Sequence, residues 1–586
     1  MNVEEIRKII LLSGLKNAVK FNGKPNKKAI MGKLMATRPD MRSQAKIIIP
    51  ILDNIISEIL KLNIEEQKEK LLELDPHALD KKERIEEEKE LPDLPNLSKF
   101  DKVVMRLAPY PSGALHIGNA RMIVLNEEYV KRYNGDLILF YDDTIGSPKS
   151  LRDSPKAKYV LPEAYNLIKE GLKWLGVNYS KIYYKSDRLE IFYEYCEKLI
   201  KDNIAYVCFC SADEFRERFK KQKRDCPHRD QRIERNIEEW KAMLNRKYHE
   251  GEAVVRLKTG MDQKDPALRD QIIMRISEAE HPRVGKKYVV WPMLEYSWAI
   301  DDYLIGASHI LRGIDLVKEG IIEEFIWDHF GWKKAELLYY GRLNFTDMKL
   351  SKTESRNNIQ NGIYEGWEDP RTWSLQSLKK RGIKPEALRN TLLSLGMSQS
   401  GINFSVNWLY SKNQDIIDQI SNRYFYVEDP ILTVIDKIPE KEYIAEPLLL
   451  PTEPKKGKRS IKCITKNNQL NLLISLSDGK NLEKDQIIRL KDLMNIKIRS
   501  IDLNNKKIFS SFYSKKLDRD FPIFQWVPKE QNVGVSILKP DGTISKGNGE
   551  INLLKIPMNK TIQFERYGFV NPIFLEKNNL FCYFTH

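Results

Sequence analysis

Between Lys102 and Asp143 the sequence reads as strand, loop, helix and strand. The apolar run KVVMRLAP ends in PYPSG, a loop of Pro, Gly and Ser. Helical spacing follows over roughly 117–133, Asn134-Gly135 stops it, and DLILFYDD is a second extended apolar run. Two strands joined through a helix run parallel, because the crossover brings the chain back to the same end of the sheet. A chain built on this unit is an α/β protein, and its ligands collect at the carboxyl ends of its strands.

The rest of the 586 residues changes texture several times, as a multidomain chain does. Apolar residues at helical spacing run from Ile6 to Leu60. Residues 64–97 are charge-dense around KKERIEEEKE and close on Pro92 and Pro95, the pattern of a solvated helix and linker. KIYYKSD, YVVWPM, ASHILRG and ELLYYGRL read as further strands, and Ser211–Lys247 as a highly charged helical stretch. From about Glu428, short β-like runs alternate with Gly, Pro and Asn turns, which predicts an all-β part.

Charge limits the partners. Lys and Arg total 97 against 82 Asp and Glu, a formal +15, and residues 431–586 alone hold 26 basic and 17 acidic side chains. That balance favours an acidic partner, nucleic acid first. No apolar run reaches the roughly 18 residues of a membrane span. The opening MNVEEIRKIILLSGLKNAVKF lacks the basic region and cleavage site of a signal peptide.

Six cysteines, Cys196, Cys208, Cys210, Cys226, Cys463 and Cys582, are too sparse for a disulfide framework and fit a reducing cytoplasm. Cys208-Phe-Cys210 and Cys226-Pro-His228 form two close pairs fifteen residues apart. Three thiolates and one imidazole make a closed tetrahedral zinc set, which holds a fold and leaves no position open for chemistry. Buried free cysteines are the alternative, and Cys196 is expected in a core.

Residues 106–121 read RLAPYPSGALHIGNAR. Gly113 and Gly118 let a ligand approach the backbone. The new helix offers unpaired N–H groups and a positive dipole end to phosphate, with His116 in its first turn. Residues 348–355 read MKLSKTES. Lys349 and Lys352 in this small polar loop suit a mobile clamp on a polyphosphate, where charge develops as pyrophosphate leaves. Each segment alone has a plain reading, as a capped turn or a solvated basic loop. In this order, some 230 residues apart, the pair is far more specific.

His116-Ile117-Gly118-Asn119 resembles the HIGH motif of class I aminoacyl-tRNA synthetases, and Lys349-Leu350-Ser351-Lys352-Thr353 resembles their KMSKS motif. RLAPYPSGALHIGNAR, YDDT at 141–144, DDYLIGASHILRG at 301–313 and GWEDPRTW at 366–373 are similar to glutamyl-tRNA synthetases, chiefly of the archaeal type. The sequence departs at Asn119, where the motif has His, and at Phe140, where an arginine often precedes the acidic pair. Leu294 stands where many bacterial members have Tyr.

The resemblance implies a multidomain α/β fold around a Rossmann-like catalytic core. An N-terminal helical domain and charged linker would span 1–97, and the first half of the catalytic domain 98–200. An acceptor-binding insertion with the zinc set would span 201–287, and the second catalytic half 288–345. The KMSKS-type loop and a helical stem-contact region would take 346–428, and β-barrels that bind the anticodon 429–586. Trp367, Trp373 and Arg371 could clamp nucleic acid or pack a core, and Trp526 and Phe524 could stack on bases or fill a barrel.

It further implies ATP as substrate with Mg2+, structural Zn2+ on Cys208, Cys210, Cys226 and His228, and glutamate and tRNA-Glu as partners, with tRNA-Gln open as a second acceptor. The protein would be a cytoplasmic monomer with no membrane attachment. ATP would be held by Gly113, His116, Gly118, Asn119, Lys349, Ser351 and Lys352, with His116, Lys349 and Lys352 catalytic. Arg106 and Arg312 stand where the family binds the side-chain carboxylate, a task suited to a planar guanidinium fork. Asp142 stands where it binds the α-amino group. A glutaminyl-tRNA synthetase shares the body plan, although Arg121 favours the glutamate type. A non-catalytic tRNA-binding paralogue should have lost His116, Lys349 and Lys352, and all three are present.

Overall fold

The computed structural model describes residues 3–20, 23–27, 30–31, 45–75, 90–146, 149–152, 154, 157–348, 350–518 and 520–586. The chain separates into two compact units, Met1–Glu87 and Glu88–His586. KKERIEEEKE, apart from Glu90, lies outside the described residues.

The first unit is helical: α1 (Val3–Lys20), α2 (Ala45–Ile59) and α3 (Ile64–Leu74). Ile48, Leu52, Ile55 and Ile59 fall on one face of α2 and are buried with Ile10, Leu15 and Leu71. α3 starts on a capping box, in which Asn63 accepts from Glu65 and Glu66 N–H while Glu66 accepts from Asn63 N–H.

The second unit begins with the predicted crossover. β1 (Val104–Leu107) leads through α4 (Ile117–Arg132) to β2 (Asp136–Tyr141), and α5 (Ala164–Trp174) leads to β3 (Lys181–Tyr184). β1, β2 and β3 are parallel neighbours. α6 (Leu189–Lys201) then enters an antiparallel sheet of β4 (Ala205–Cys208), β5 (Val254–Leu257), β6 (Ile272–Ile276) and β7 (Val290–Pro292), with α7 (Ile233–Leu244) packed on it. The parallel sheet resumes after α8 (Leu294–Leu304) with β8 (His309–Gly313), α9 (Val317–Phe330) and β9 (Glu336–Tyr340), which pairs parallel to β8. Ser308 joins the two parts: its N–H donates to Val104 O at 2.9 Å and its hydroxyl accepts from Val104 N–H at 2.8 Å. The strand order is thus 3-2-1-8-9, and it reverses direction between β1 and β8. In an open α/β sheet that reversal leaves a crevice at the carboxyl ends of the two strands.

The stretch 211–247 is not one helix. It breaks after Lys220 and resumes at α7. Between them Cys226-Pro227-His228 folds back on Cys208 and Cys210, and a proline has no N–H with which to continue a helix.

Past β9, β10 (Leu343–Phe345) pairs with β11 (Ile402–Phe404), enclosing α10 (Lys352–Gln360), α11 (Leu375–Arg381) and α12 (Pro385–Ser394), and α13 (Val406–Ile417) follows. The chain is then β-rich. One seven-stranded sheet orders 423–424, 562–564, 568–576, 579–584, 532–538, 544–550 and 426–428. Its two edge strands flank Phe425 in sequence, so the sheet curls until its edges meet. The other orders 523–524, 487–490, 494–502, 507–514, 430–436, 470–475 and 527–528, and its edges flank Gln525-Trp526. Curling hides the unpaired strand edges. The second barrel is inserted into the first, between the strands at 426–428 and 532–538. Trp526 is fully buried in its core and donates to Lys491 O, so it packs and does not offer a stacking face. Among the described residues no helix is long and apolar enough to cross a membrane.

Candidate active site

Three strand ends and one helix build the crevice. β1 ends on Arg106 and Leu107, β2 on Tyr141 followed by Asp142 and Asp143, and β8 on Arg312 and Gly313, while α8 brings Trp298, Asp301 and Asp302. Arg106 is 7% exposed. Its Nη2 donates to Asp302 Oδ2 at 2.7 Å and its Nε to Oδ1, and its Cζ lies 3.4 Å from the centre of the Trp298 ring. Arg312 donates from Nη1 and Nη2 to the two carboxylate oxygens of Glu323, both at 2.7 Å. Both guanidinium forks therefore close on internal carboxylates. A ligand carboxylate would meet the remaining edges, such as Arg312 Nε, which is buried and has no hydrogen-bond partner among the described residues.

The two aspartates after β2 divide their work. Asp143 accepts from Ser186 N–H at 2.9 Å, from the Ser186 hydroxyl at 2.7 Å and from Tyr165 at 2.8 Å, which locks the loop. Asp142 accepts a long bond of 3.4 Å from Thr144. Burial, the largest effect, pushes its carboxyl above the usual range against the pull of Lys185 and Arg106. With only that long bond from Thr144, Asp142 keeps capacity for a ligand cation.

His116 is the N-cap of α4, and its N–H donates to Asn119 Oδ1 at 3.2 Å. Its Nδ1 is buried with no hydrogen-bond partner among the described residues. Burial, then the charge of Lys352, lowers the ring's pKa to about 3, so the imidazole is neutral. Ser351 caps α10 by accepting from Glu354 N–H at 3.2 Å, and Lys352 begins that helix. Burial and Lys158 lower the Lys352 ammonium to about 8. The two motifs, distant in sequence, thus meet: a Cβ on Gly118 would stand 3.5 Å from Leu350. Lys349 lies outside the described residues.

Gly113 has φ +143°, and a Cβ there would lie 2.4 Å from the Trp367 ring. Only glycine lets the loop run beneath that indole. Trp373 is buried, its carbonyl accepts from Ile117 N–H at 3.2 Å, and Arg371 is tied to Asp369 at 2.6 Å. GWEDPRTW therefore buttresses the His116 loop. Arg121 is buried as well, donating to Gly341 O and Gly396 O.

The profile of "tRNA synthetases class I (E and Q), catalytic domain" matches residues 102–419, and that of the corresponding "anti-codon binding domain" matches 421–514. The chain belongs to the class I tRNA synthetases of the E and Q group. The "Glutamate--tRNA ligase" of Pyrococcus furiosus is 40% identical to this synthetase over 590 residues, covering 99% of this chain and 100% of that protein. Its namesake in Thermococcus kodakarensis is 38% identical over 588 residues and 100% of both chains. The one in Methanocaldococcus jannaschii is 38% identical over 578 residues, 98% of this chain and 99% of its own. The expected fold stands: a class I α/β catalytic domain followed by a β-rich anticodon-binding domain.

In the antiparallel insertion of this synthetase, the ligand atoms of Cys208, Cys210, Cys226 and His228 all lie within 4.8 Å of one another. The Sγ atoms of Cys208 and Cys210 stand 3.7 and 3.6 Å from that of Cys226. His228 Nδ1 is 3.5 Å from Cys210 Sγ and 3.3 Å from Cys226 Sγ. Tetrahedral zinc with Zn–S bonds of about 2.3 Å requires S–S edges of about 3.8 Å, so the donor set fits that ion. Cys196 is buried in the core, away from this set.

Sequence reading gave no role to Trp298, Asp302, Glu323 or Lys185, which line or brace the crevice. For Lys185 a signal was present: in KIYYKSD it is the charge that follows an aromatic strand at its carboxyl end.

Proposed function

We propose that this synthetase is a glutamate–tRNA ligase. It activates L-glutamate with ATP to glutamyl-adenylate and transfers the glutamyl group to the terminal ribose of tRNA-Glu. The observation that carries this reading is the crevice between β1 and β8, in which Arg106, Arg312 and Asp142 share one rim with the His116–Lys352 loop. Relatives aligned over the whole chain and named as glutamate–tRNA ligases support it.

The chemistry follows from positioning and charge. Asp142 receives the α-ammonium, and the free edges of Arg106 and Arg312 receive the side-chain carboxylate. The α-carboxylate is left facing the nucleotide loop, where it attacks the α-phosphorus of ATP and pyrophosphate leaves. Gly113, Gly118 and Asn119 give the phosphates and ribose close access to backbone. His116 supplies an unpartnered ring nitrogen, and Lys349, Ser351 and Lys352 hold the departing pyrophosphate. Mg2+ accompanying ATP would supply positive charge to the phosphates, as expected for synthetases of this class. Cys208, Cys210, Cys226 and His228 would hold a Zn2+ that braces the insertion receiving the acceptor end. The barrels read the anticodon, and the excess of basic residues over 431–586 supports that role. We read the protein as a cytoplasmic monomer, since charged tRNA is consumed in the cytoplasm and the chain alone supplies both halves of the crevice.

Charging assays with purified protein, glutamate, glutamine and separate tRNA-Glu and tRNA-Gln test the reading. Glutamyl-tRNA-Glu is the expected product, and the tRNA-Gln arm decides whether that tRNA is also an acceptor. Charging with glutamine in place of glutamate would overturn the assignment.

A further inference from the structure

One buried cation has no part in the steps above. Lys185 follows β3 and is 0% exposed. Its Nζ donates to the Ser297 hydroxyl and lies 3.6 Å from the centre of the Trp298 ring, the indole that also carries Arg106. Asp301 Oδ2 is 3.7 Å away, outside hydrogen-bond reach, and that oxygen is buried with no hydrogen-bond partner among the described residues. Asp301 Oδ1 is already taken by Arg188 at 2.6 Å.

The charges around the crevice can be paired off. Arg106 is matched to Asp302, Arg188 to Asp301 and Arg312 to Glu323. Lys185 and Asp142 remain. Among nearby charges Asp142 acts most strongly on Lys185, and Lys185 most strongly on Asp142. Removing Lys185 takes away the cation that acts most strongly on Asp142 and leaves the pocket more negative before substrate enters. Glutamate has two carboxylates and one ammonium, so it arrives as an anion, while glutamine of nearly the same shape arrives neutral. A uniform field inside a dry pocket separates these two even where no contact differs.

We propose that Lys185 is a specificity-determining residue, the buried charge that lets this pocket prefer an anionic amino acid over its neutral amide. The proposal rests on the reading of the crevice as the glutamate site. A lysine that merely supports the fold would weaken glutamate and glutamine alike.

The test uses the full chain, tRNA-Glu and the variants Lys185→Gln and Lys185→Met. The readouts are KM for glutamate in tRNA charging and KI for glutamine as a competitor. The ratio of KI to KM is expected to fall about tenfold, the effect of one screened charge, with KM for ATP changed less than about twofold. Ser297→Asp places a carboxylate against Nζ and cancels the charge without deleting the lysine, so the same fall is expected. It decides the question alone if the Lys185 variants do not fold. A ratio held within twofold, with both constants moving together, would overturn the proposal. A wild-type protein that charges no tRNA with glutamate would instead overturn the function on which it rests.

Discussion

Arg106→Gln separates the ion pair that the structure gives this side chain from the substrate role proposed for it. Arg106 and Asp302 are 7% and 0% exposed, and the arginine holds both oxygens of the aspartate. Deleting the arginine leaves a buried carboxylate without its cation, which costs about 3–5 kcal/mol. For a catalytic half of this size, each kcal/mol lowers the melting temperature by about 2–4 °C, so the catalytic transition should fall by roughly 6–20 °C. The double variant Arg106→Gln/Asp302→Asn removes both charges and keeps amides that can pair. It should recover most of the lost melting temperature, because replacing both members of a buried ion pair is often close to neutral. Glutamate charging should not recover, since the substrate still lacks its cation. Thermal melts followed by tryptophan fluorescence and tRNA charging, both on the three proteins, make the comparison. A double variant as unstable as the single one would refute the claim that the Asp302 pair is the source of the loss. A double variant that regains glutamate charging would refute the substrate role of Arg106.

Lys352 is held near 8 in the free protein, below the ordinary lysine value, so its charge is lost as pH rises through about 8. The kcat/KM for ATP should fall above that pH, and Lys352→Arg should move the falling limb to higher pH in rate profiles of tRNA-dependent pyrophosphate exchange. Lys352→Ala should lower adenylate formation more than about tenfold, since one contact to developing charge contributes about 2–4 kcal/mol; unchanged kinetics would remove the loop from the mechanism. Elemental analysis should find about one zinc per chain, and Cys210→Ser should release it while harming tRNA charging more than ATP binding. Gly113→Ala should raise KM for ATP at least about tenfold, because the methyl group would overlap Trp367 in a strained backbone. Trp367→Leu in the same chain should restore part of that loss.

What the sequence made legible was local or periodic. The parallel crossover from β1 to β2 could be read because strand and helix periods alternate within forty residues. The four zinc-type donors could be read because they form two short-range pairs. The nearness of His116 to Lys352 came from a resemblance, since no local pattern links residues more than 200 apart. The unread part was pairing across the fold. Arg106 and Arg312 were visible as cations at strand ends, but nothing local shows that Asp302 and Glu323 already occupy their forks. The burial of Lys185 has no local sign, because it is decided by Trp298, which arrives from another element. The break in 211–247 was hidden for a similar reason: charged residues keep a helical rhythm whether or not the chain must turn to place Cys226 and His228.

α11 has a mechanical consequence. It is seven residues long, about 10 Å. At its start, Leu375 N–H donates to Leu115 O at 2.8 Å and Ser374 bridges to His116. At its end, Arg381 donates to Phe584 O at 3.0 Å and to Thr585 O at 2.9 Å, and Asn571 donates to Lys380 O at 2.6 Å. One short strut therefore has the outer barrel bolted to one tip and the His116 loop to the other. The inner barrel hangs from that outer barrel by the strands at 426–428 and 532–538, which flank the strand at 544–550, so a load on it passes through the outer barrel before it reaches the strut. The anticodon-binding end of the molecule is thus braced against the loop proposed to hold ATP.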